Sequence, residues 1–300
     1  MPYTTLISAP ELQSLLRERK PLMIFDCSFD LAQPTEGDAQ FERLRIAGAV
    51  RADLDRHLSA KDAAQAHGVG KTPPMAASGG RHPLPQREVF AEWLSRVGFH
   101  ADMQAVVYDR QGSSFCVRLW WMLKWMGHEA VAVLDGGLSA WQAIQGPVAS
   151  GPVPAPAPTG KPPFQPGKLL ARLLTVDEVR ARLNQPSQQT LIDARAPARF
   201  RGEVEPLDPV AGHIPGALNR PFSENFGPDG RFKSPAQLRA EFDALLGGRH
   251  PASVVHHCGS GVTATPNLLA MELAGLGRAA LYAGSWSEWC GDPTRPVAKG

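Results

Sequence analysis

Short apolar runs rich in β-branched residues alternate along this chain with longer stretches whose apolar positions recur at helical spacing. In the second half, Thr175 with Glu178 three residues on predicts a capping box that opens a helix to about Asn184. Leu191–Asp193 predicts a short strand, and Ser234-Pro235 predicts an N-cap with proline in the first turn of a helix reaching about Leu246. Ser253–His257 reads as a buried strand, Thr265–Leu276 as a helix and Ala279–Tyr282 as another strand. The first half repeats the sequence of elements with strand Val106–Tyr108, helix Ser114–Met126 and strand Val131–Leu134. Strands alternating with helices over short connections predict an α/β fold, a mainly parallel sheet flanked by helices.

The two halves look like copies. Leu22-Met23-Ile24-Phe25-Asp26 answers Leu191-Ile192-Asp193, and Ala47-Gly48-Ala49-Val50 answers Pro215-Gly216-Ala217-Leu218. Asp135-Gly136-Gly137-Leu138-Ser139-Ala140-Trp141 answers Ala283-Gly284-Ser285-Trp286-Ser287-Glu288-Trp289. Landmarks in the same order indicate a duplicated domain. Between the copies, residues 146–167 are proline-rich; proline removes backbone donors and fixes φ, so a semi-rigid tether is expected there. The expected organisation is a first domain over 1–145, a linker over 146–167 and a second domain over 168–300.

Composition narrows the function. A net charge of +2 gives no strong field for nucleic acid or an anionic membrane surface. Four cysteines, at 27, 116, 258 and 290, form no C-x-x-C pair and make no secreted disulfide framework. A reducing, cytoplasmic setting is expected, with no membrane partner, because neither a signal-peptide pattern nor a long uncharged apolar run is present. No phosphate-binding loop, dinucleotide fingerprint or spaced metal-ligand set stands out, so neither a cofactor nor a metal is expected.

The chemistry concentrates at Val254-Val255-His256-His257-Cys258-Gly259-Ser260-Gly261-Val262-Thr263-Ala264. A strand ends at a cysteine, a glycine-bearing loop follows, and a helix begins. Sites in α/β sheets lie beyond the carboxyl ends of strands. Gly259 and Gly261 allow the loop to turn its N–H groups inward, where they and the helix N-terminus favour an anionic sulfur. Cys258 is therefore the candidate nucleophile. Adjacent strand residues point to opposite faces, so His256, His257 and Cys258 do not form a metal site, and one of the two histidines is expected to face the core. Cys27, Cys116 and Cys290 read as structural. The equivalent first-copy loop, Tyr108-Asp109-Arg110-Gln111-Gly112-Ser113, has no cysteine where Cys258 stands.

These residues resemble the two-domain rhodanese family, and the Cys-Gly-Ser-Gly-Val-Thr-Ala loop is similar to that of 3-mercaptopyruvate sulfurtransferases. The Gly-His-Ile-Pro-Gly-Ala block at 212–217 adds to the likeness, which runs over nearly the whole chain. The resemblance implies tandem rhodanese-like domains and a persulfide cycle on Cys258, with a small-molecule sulfur donor and a thiol acceptor such as thioredoxin, or cyanide. It assigns Gly259, Gly261, Val262 and Thr263 to the substrate cradle. Ser260, His82 and Asp55 take the positions of a Ser-His-Asp relay, with Asp53 a rival for Asp55, which would bring first-domain residues to the second domain's loop. Arg199 matches the arginine that holds the substrate carboxylate.

The loop positions after the cysteine, cationic in thiosulfate-using relatives, are neutral here, which favours a monoanionic keto acid. The family's second arginine, in a Glu-Pro-Arg context, is absent: this chain reads Glu205-Pro206-Leu207-Asp208. Arg195, Arg201, Arg220 and Arg110 are candidates to replace it. Thiosulfate:cyanide sulfur transfer is the alternative activity, and a non-enzymatic binding module the alternative class. A cysteine phosphatase of the His-Cys-x5-Arg kind is disfavoured, since the arginine would fall at Ala264.

Overall fold

A computed structural model describes residues 1–62, 70–152 and 160–300. The chain divides into two compact units. One comprises Met1–Leu58, Gln86–Leu170 and Pro228–Arg231; the other comprises Ser59–Pro85, Ala171–Gly227 and Phe232–Gly300. This differs from two contiguous halves. The segment from Ser59 to Pro85, in the first half of the sequence, belongs to the second unit.

The first unit holds β1 (Leu6–Ile7), β2 (Leu22–Asp26), β3 (Arg45–Ile46), β4 (Val50–Arg51), β5 (Gln104–Tyr108), β6 (Val131–Leu134) and β7 (Val148–Ala149). Five of them form a parallel sheet in the order β1-β6-β5-β2-β4, while β3 and β7 pair antiparallel. The second unit holds β8 (Arg172–Leu173), β9 (Thr190–Asp193), β10 (Leu218–Asn219), β11 (Val254–His257) and β12 (Ala280–Leu281). Its parallel sheet runs β8-β12-β11-β9-β10. The two orders match strand for strand, so the duplication seen in sequence is a duplication of topology. Both units are α/β, a parallel sheet flanked by helices.

Local chemistry sets the helix ends. Ser8 with Glu11, Thr175 with Glu178 and Ser234 with Gln237 each form a reciprocal capping box, satisfying first-turn N–H groups. The helix expected from Ser114 begins at Cys116, because the N–H groups of Phe115 and Cys116 donate to the Asp109 carboxylate. The helix from Thr265 ends at Leu273 rather than near Leu276; Gly275, at φ +69°, turns the chain out of the helical region. Thr175's helix likewise closes at Ala181, ahead of Asn184 at φ +64°.

Of the proline-rich segment, residues 153–159 lie outside the described residues. Its described ends are bound to the first unit rather than loose. Val148–Ala149 pairs with β3, Phe164 is buried with its ring 5.4 Å from that of Phe99, and the Gly167 N–H donates to the Met126 carbonyl at 2.7 Å. Each unit has its own apolar core, around Ile24, Val106 and Trp141 in the first and Val255, Tyr282 and Trp286 in the second. Among the described residues no helix is long and apolar enough to cross a membrane.

Candidate active site

β11 runs through the middle of the second sheet and ends at Cys258, which is 1% exposed. A parallel strand covered on both faces buries every side chain it carries. Both His256 and His257 are therefore fully buried, not one of the two as the alternation suggested. His256 Nε2 lies 3.0 Å from the Met271 sulfur, and burial, reinforced by His257 and Arg220, pushes its pKa down to about 3. Burial lowers His257 as well, against the opposing pull of Asp193. Both are neutral packing groups at neutral pH.

The loop after β11 is held from beneath by the turn into the helix Ser285–Cys290. The Cys258 N–H donates to Ser285 Oγ at 3.1 Å, and the Cys258 and Gly259 carbonyls accept from the N–H groups of Trp286 and Ser287 at 3.0 and 2.9 Å. Ser285 takes a left-handed φ of +57°, with its hydroxyl donating to the Tyr282 carbonyl at 3.0 Å. Gly261 needs its missing side chain twice over: φ is +75°, and a Cβ would collide with the Ala283 carbonyl oxygen. Val262 is buried and Thr263 half-buried at the turn into the helix Thr265–Leu273. Among the described residues no three His, Cys, Asp or Glu side chains are placed to share an ion.

The first unit shows what such a loop binds. Asp109 follows β5 as Cys258 follows β11, and its carboxylate accepts from four backbone N–H groups: Gln111 and Ser113 at 3.0 and 2.8 Å, Phe115 and Cys116 at 2.8 and 2.9 Å. The loop between strand and helix thus converges its N–H groups on the residue that follows the strand, a carboxyl in this copy. In the other copy Cys258 is the residue that follows the strand.

Ser260 and His82 meet within the second unit, with Oγ 2.7 Å from Nδ1 and both residues buried. The segment carrying His82 lies against the helix Ser285–Cys290. The Arg81 N–H donates to Ser287 Oγ at 3.0 Å, and Thr72 donates to the Glu288 carboxylate at 3.0 Å. Gly79 and Gly80 admit this approach, since a Cβ on either would strike Glu288 or the Gly284 carbonyl. Asp55 belongs to the first unit, where its N–H donates to Asp53. The Asp53 carboxylate also accepts from the Arg56 N–H at 2.9 Å and pairs with Arg51 at 3.0 Å, so this rival is engaged by its own turn.

Gly259 has a different reason to be glycine. A Cβ there would stand 3.1 Å from Arg81 Nη2 and 3.6 Å from both terminal nitrogens of Arg199. Two guanidiniums therefore flank the residue after Cys258. Asp208 joins them, pairing with Arg81 Nη1 and lying 3.3 Å from Arg199 Nη2, while Glu205 binds Arg199 at 2.6 Å and Arg195 at 3.2 Å. Burial pushes the Asp208 carboxyl up even with Arg81 beside it. Burial also raises Glu205, but the bonds from Arg199 and the Leu207 N–H outweigh it and hold that carboxyl below its ordinary value.

Sequence reasoning named four other arginines for this place. Arg195 is bound to Asp193, Glu205 and the Gly212 carbonyl; Arg220 to Asn225 and Glu241; Arg201, exposed, to Glu203; and Arg110, in the first unit, to Asp26 and Ser28. Arg81, which flanks Gly259, was not among them, although it adjoins His82. The other three cysteines are buried thiols, Cys290 pushed up to about 11 and Cys27 and Cys116 well above the ordinary range, in each case chiefly by burial.

A family model described as the rhodanese-like domain matches residues 8–144 and again 175–292. The chain belongs to the rhodanese family. This rhodanese is 44% identical, over the full length of both chains, to a probable 3-mercaptopyruvate sulfurtransferase of Pseudomonas aeruginosa. It is 37% identical to a putative thiosulfate sulfurtransferase of Mycobacterium tuberculosis, over 98% of this chain and 97% of that one. Among solved structures, the 3-mercaptopyruvate sulfurtransferase from Leishmania major superposes with a TM-score of 0.77 at 31% identity, covering 96% of this chain and 74% of that one. This rhodanese is a sulfurtransferase enzyme, acting between a small-molecule sulfur donor and an acceptor.

Proposed function

We propose that this sulfurtransferase takes sulfur from 3-mercaptopyruvate onto Cys258 as a persulfide, releases pyruvate, and passes the outer sulfur to a thiol such as thioredoxin, or to cyanide. The observation that supports the reading is the pair of equivalent loops: four backbone N–H groups converge on the Asp109 carboxyl in one, and Cys258 holds the matching place after its strand in the other. A persulfide anion has the same need for converging donors.

In the first half-reaction the Cys258 thiolate attacks the donor sulfur. The S–S bond forms as the C–S bond breaks, its electron pair leaves with the three-carbon enolate, and a proton on that carbon gives pyruvate. In the second, an acceptor thiolate takes the outer sulfur and returns Cys258 to the thiolate. No oxidant or reductant is needed in the donor half. In this reading Ser260, paired with His82, donates to the ketone or donor sulfur, and the loop N–H groups of Gly259, Gly261, Val262 and Thr263 cradle the transferred atom. Asp55 completes the relay only by the resemblance.

The second reading, thiosulfate as donor, is favoured by the guanidiniums beside Gly259. Their charge is balanced, however: Arg81, Arg195 and Arg199 face Asp193, Glu205 and Asp208 in one network. A dianion gains no net positive site there, whereas a monoanionic keto acid needs only orientation. Side-by-side kinetics test the choice, with dithiothreitol as acceptor on wild type and Cys258→Ser. The expected result is a higher kcat/KM for 3-mercaptopyruvate, abolished in the variant; a higher value for thiosulfate would favour the second reading.

A further inference from the structure

We propose that Arg81 is a substrate-binding residue of this enzyme, supplying with Arg199 a two-guanidinium site for the carboxylate of the sulfur donor. The inference rests on the keto-acid reading above and adds to it a residue from a distant part of the chain.

Three observations carry it. First, the terminal nitrogens of Arg81 and Arg199 converge on the α-carbon of Gly259, the residue next to the nucleophile, at 3.1 and 3.6 Å from the place a Cβ would take. An anion bound to those nitrogens sits one residue from Cys258, a fitting distance for a three-carbon donor whose sulfur and carboxylate lie at opposite ends. Second, Arg81 is aimed rather than loose. Its N–H is fixed to Ser287 Oγ, the glycines before it let the backbone lie on the helix Ser285–Cys290, and its Nη1 is tied to Asp208 while Nη2 faces the loop. Third, Asp208 is shared by both guanidiniums and its side chain is 1% exposed. It acts as a built-in counter-ion, holding two like charges together; with Arg199 Nε and Nη2 on Glu205 and Arg81 Nη1 on Asp208, Arg81 Nη2 and Arg199 Nη1 are left to face one carboxylate.

The arrangement also accounts for the residues expected to do this work that do not. Arg195 and Arg220 are buried in ion pairs of their own, and Leu207, after the Glu-Pro pair, is an exposed side chain.

A test independent of the natural donor compares alkylation of Cys258 by iodoacetate, which carries a carboxylate, and by iodoacetamide, its neutral counterpart. Second-order rates are measured on the full chain for wild type, Arg81→Gln, Arg199→Gln and Arg81→Lys, with circular dichroism to confirm folding. The ratio of iodoacetate to iodoacetamide rates is expected to fall about tenfold in Arg81→Gln and by a similar factor in Arg199→Gln. Arg81→Lys, which keeps charge but loses the fork, is expected to fall between. An unchanged ratio in a folded Arg81→Gln protein, with Arg199→Gln reduced, would overturn the role of Arg81. Because the ratio involves no mercaptopyruvate, it is decided separately from the donor. In turnover, Arg81→Gln is expected to raise KM for 3-mercaptopyruvate about tenfold with kcat changed far less; a loss confined to kcat would also overturn it.

Discussion

The hydroxyl of Ser260 stands 2.7 Å from Nδ1 of His82, although 178 positions separate them in sequence. The pairing exists because residues 70–85 belong to the second compact unit, with Thr72 and Arg81 bonded to the helix that also supports the Cys258 loop. If the two act as one proton-transfer unit, removing either removes the function of both. Ser260→Ala and His82→Asn are each expected to lower kcat/KM about 10²-fold, and the double variant by little more. Losses that multiply in the double variant would show two independent roles.

Gly261 fixes the loop by its conformation rather than its chemistry. At φ +75°, with the Ala283 carbonyl against the vacant side-chain position, Gly261→Ala must move the loop. The expected outcome is a fall in kcat/KM of more than about tenfold together with a lower Tm. Gly230, also at positive φ (+73°) but with open space around it, is the comparison: Gly230→Ala should lower Tm modestly and leave kcat unchanged.

Asp109 fills the turn after β5, and four N–H groups depend on its carboxyl. Asp109→Ala is expected to destabilise the protein by about 3–5 kcal/mol in denaturant unfolding, since buried donors lose their acceptor. Asp109→Asn, which keeps one acceptor oxygen, should lose less. Equal losses would mean that the cradle does not depend on the second oxygen.

The buried histidines make stability depend on pH. His256 has its folded pKa pushed down to about 3 and His57 to about 4, both mainly by burial, against an unfolded value near 6.5. The unfolded chain binds these protons first, so the stability they confer is present above about pH 6.5 and is lost as pH falls through the window toward the folded values. The raised carboxyls of Asp109, Asp208 and Glu288 work in the opposite direction, so the contribution is read as a difference. His256→Phe is expected to flatten the fall between pH 6.5 and 4.5 by up to about 1.4 kcal/mol per pH unit. A parallel curve for variant and wild type would contradict it.

Much of this was legible in the sequence, for definite reasons. The strand-cysteine-glycine-loop-helix segment is local, so its residue types and spacing announce the fold element and single out Cys258 as the candidate nucleophile. The capping box at Thr175 and the N-cap with proline at Ser234-Pro235 are equally local, and they mark the starts of their helices to the residue. The duplication was visible because the landmarks recur in order, and the matched strand orders repeat it. What escaped notice depends on distant contacts. That residues 59–85 join the second unit follows from hydrogen bonds such as Thr72 to Glu288, which no local pattern encodes. Arg81 was passed over for the same reason. The candidates read from the sequence, Arg195, Arg201, Arg220 and Arg110, are held by other partners, while the guanidinium facing Gly259 belongs to Arg81. The burial of both His256 and His257 was missed because alternation describes a half-buried strand, and β11 is central and covered on both sides.

The central claim, that Cys258 carries the sulfur, is tested most directly by intact-protein and peptide mass spectrometry after brief exposure to 3-mercaptopyruvate without an acceptor. The account predicts a single added sulfur atom on the peptide containing Cys258, removed by dithiothreitol or thioredoxin and absent in Cys258→Ser. Turnover with no such adduct, or an adduct on Cys27, Cys116 or Cys290 instead, would contradict it.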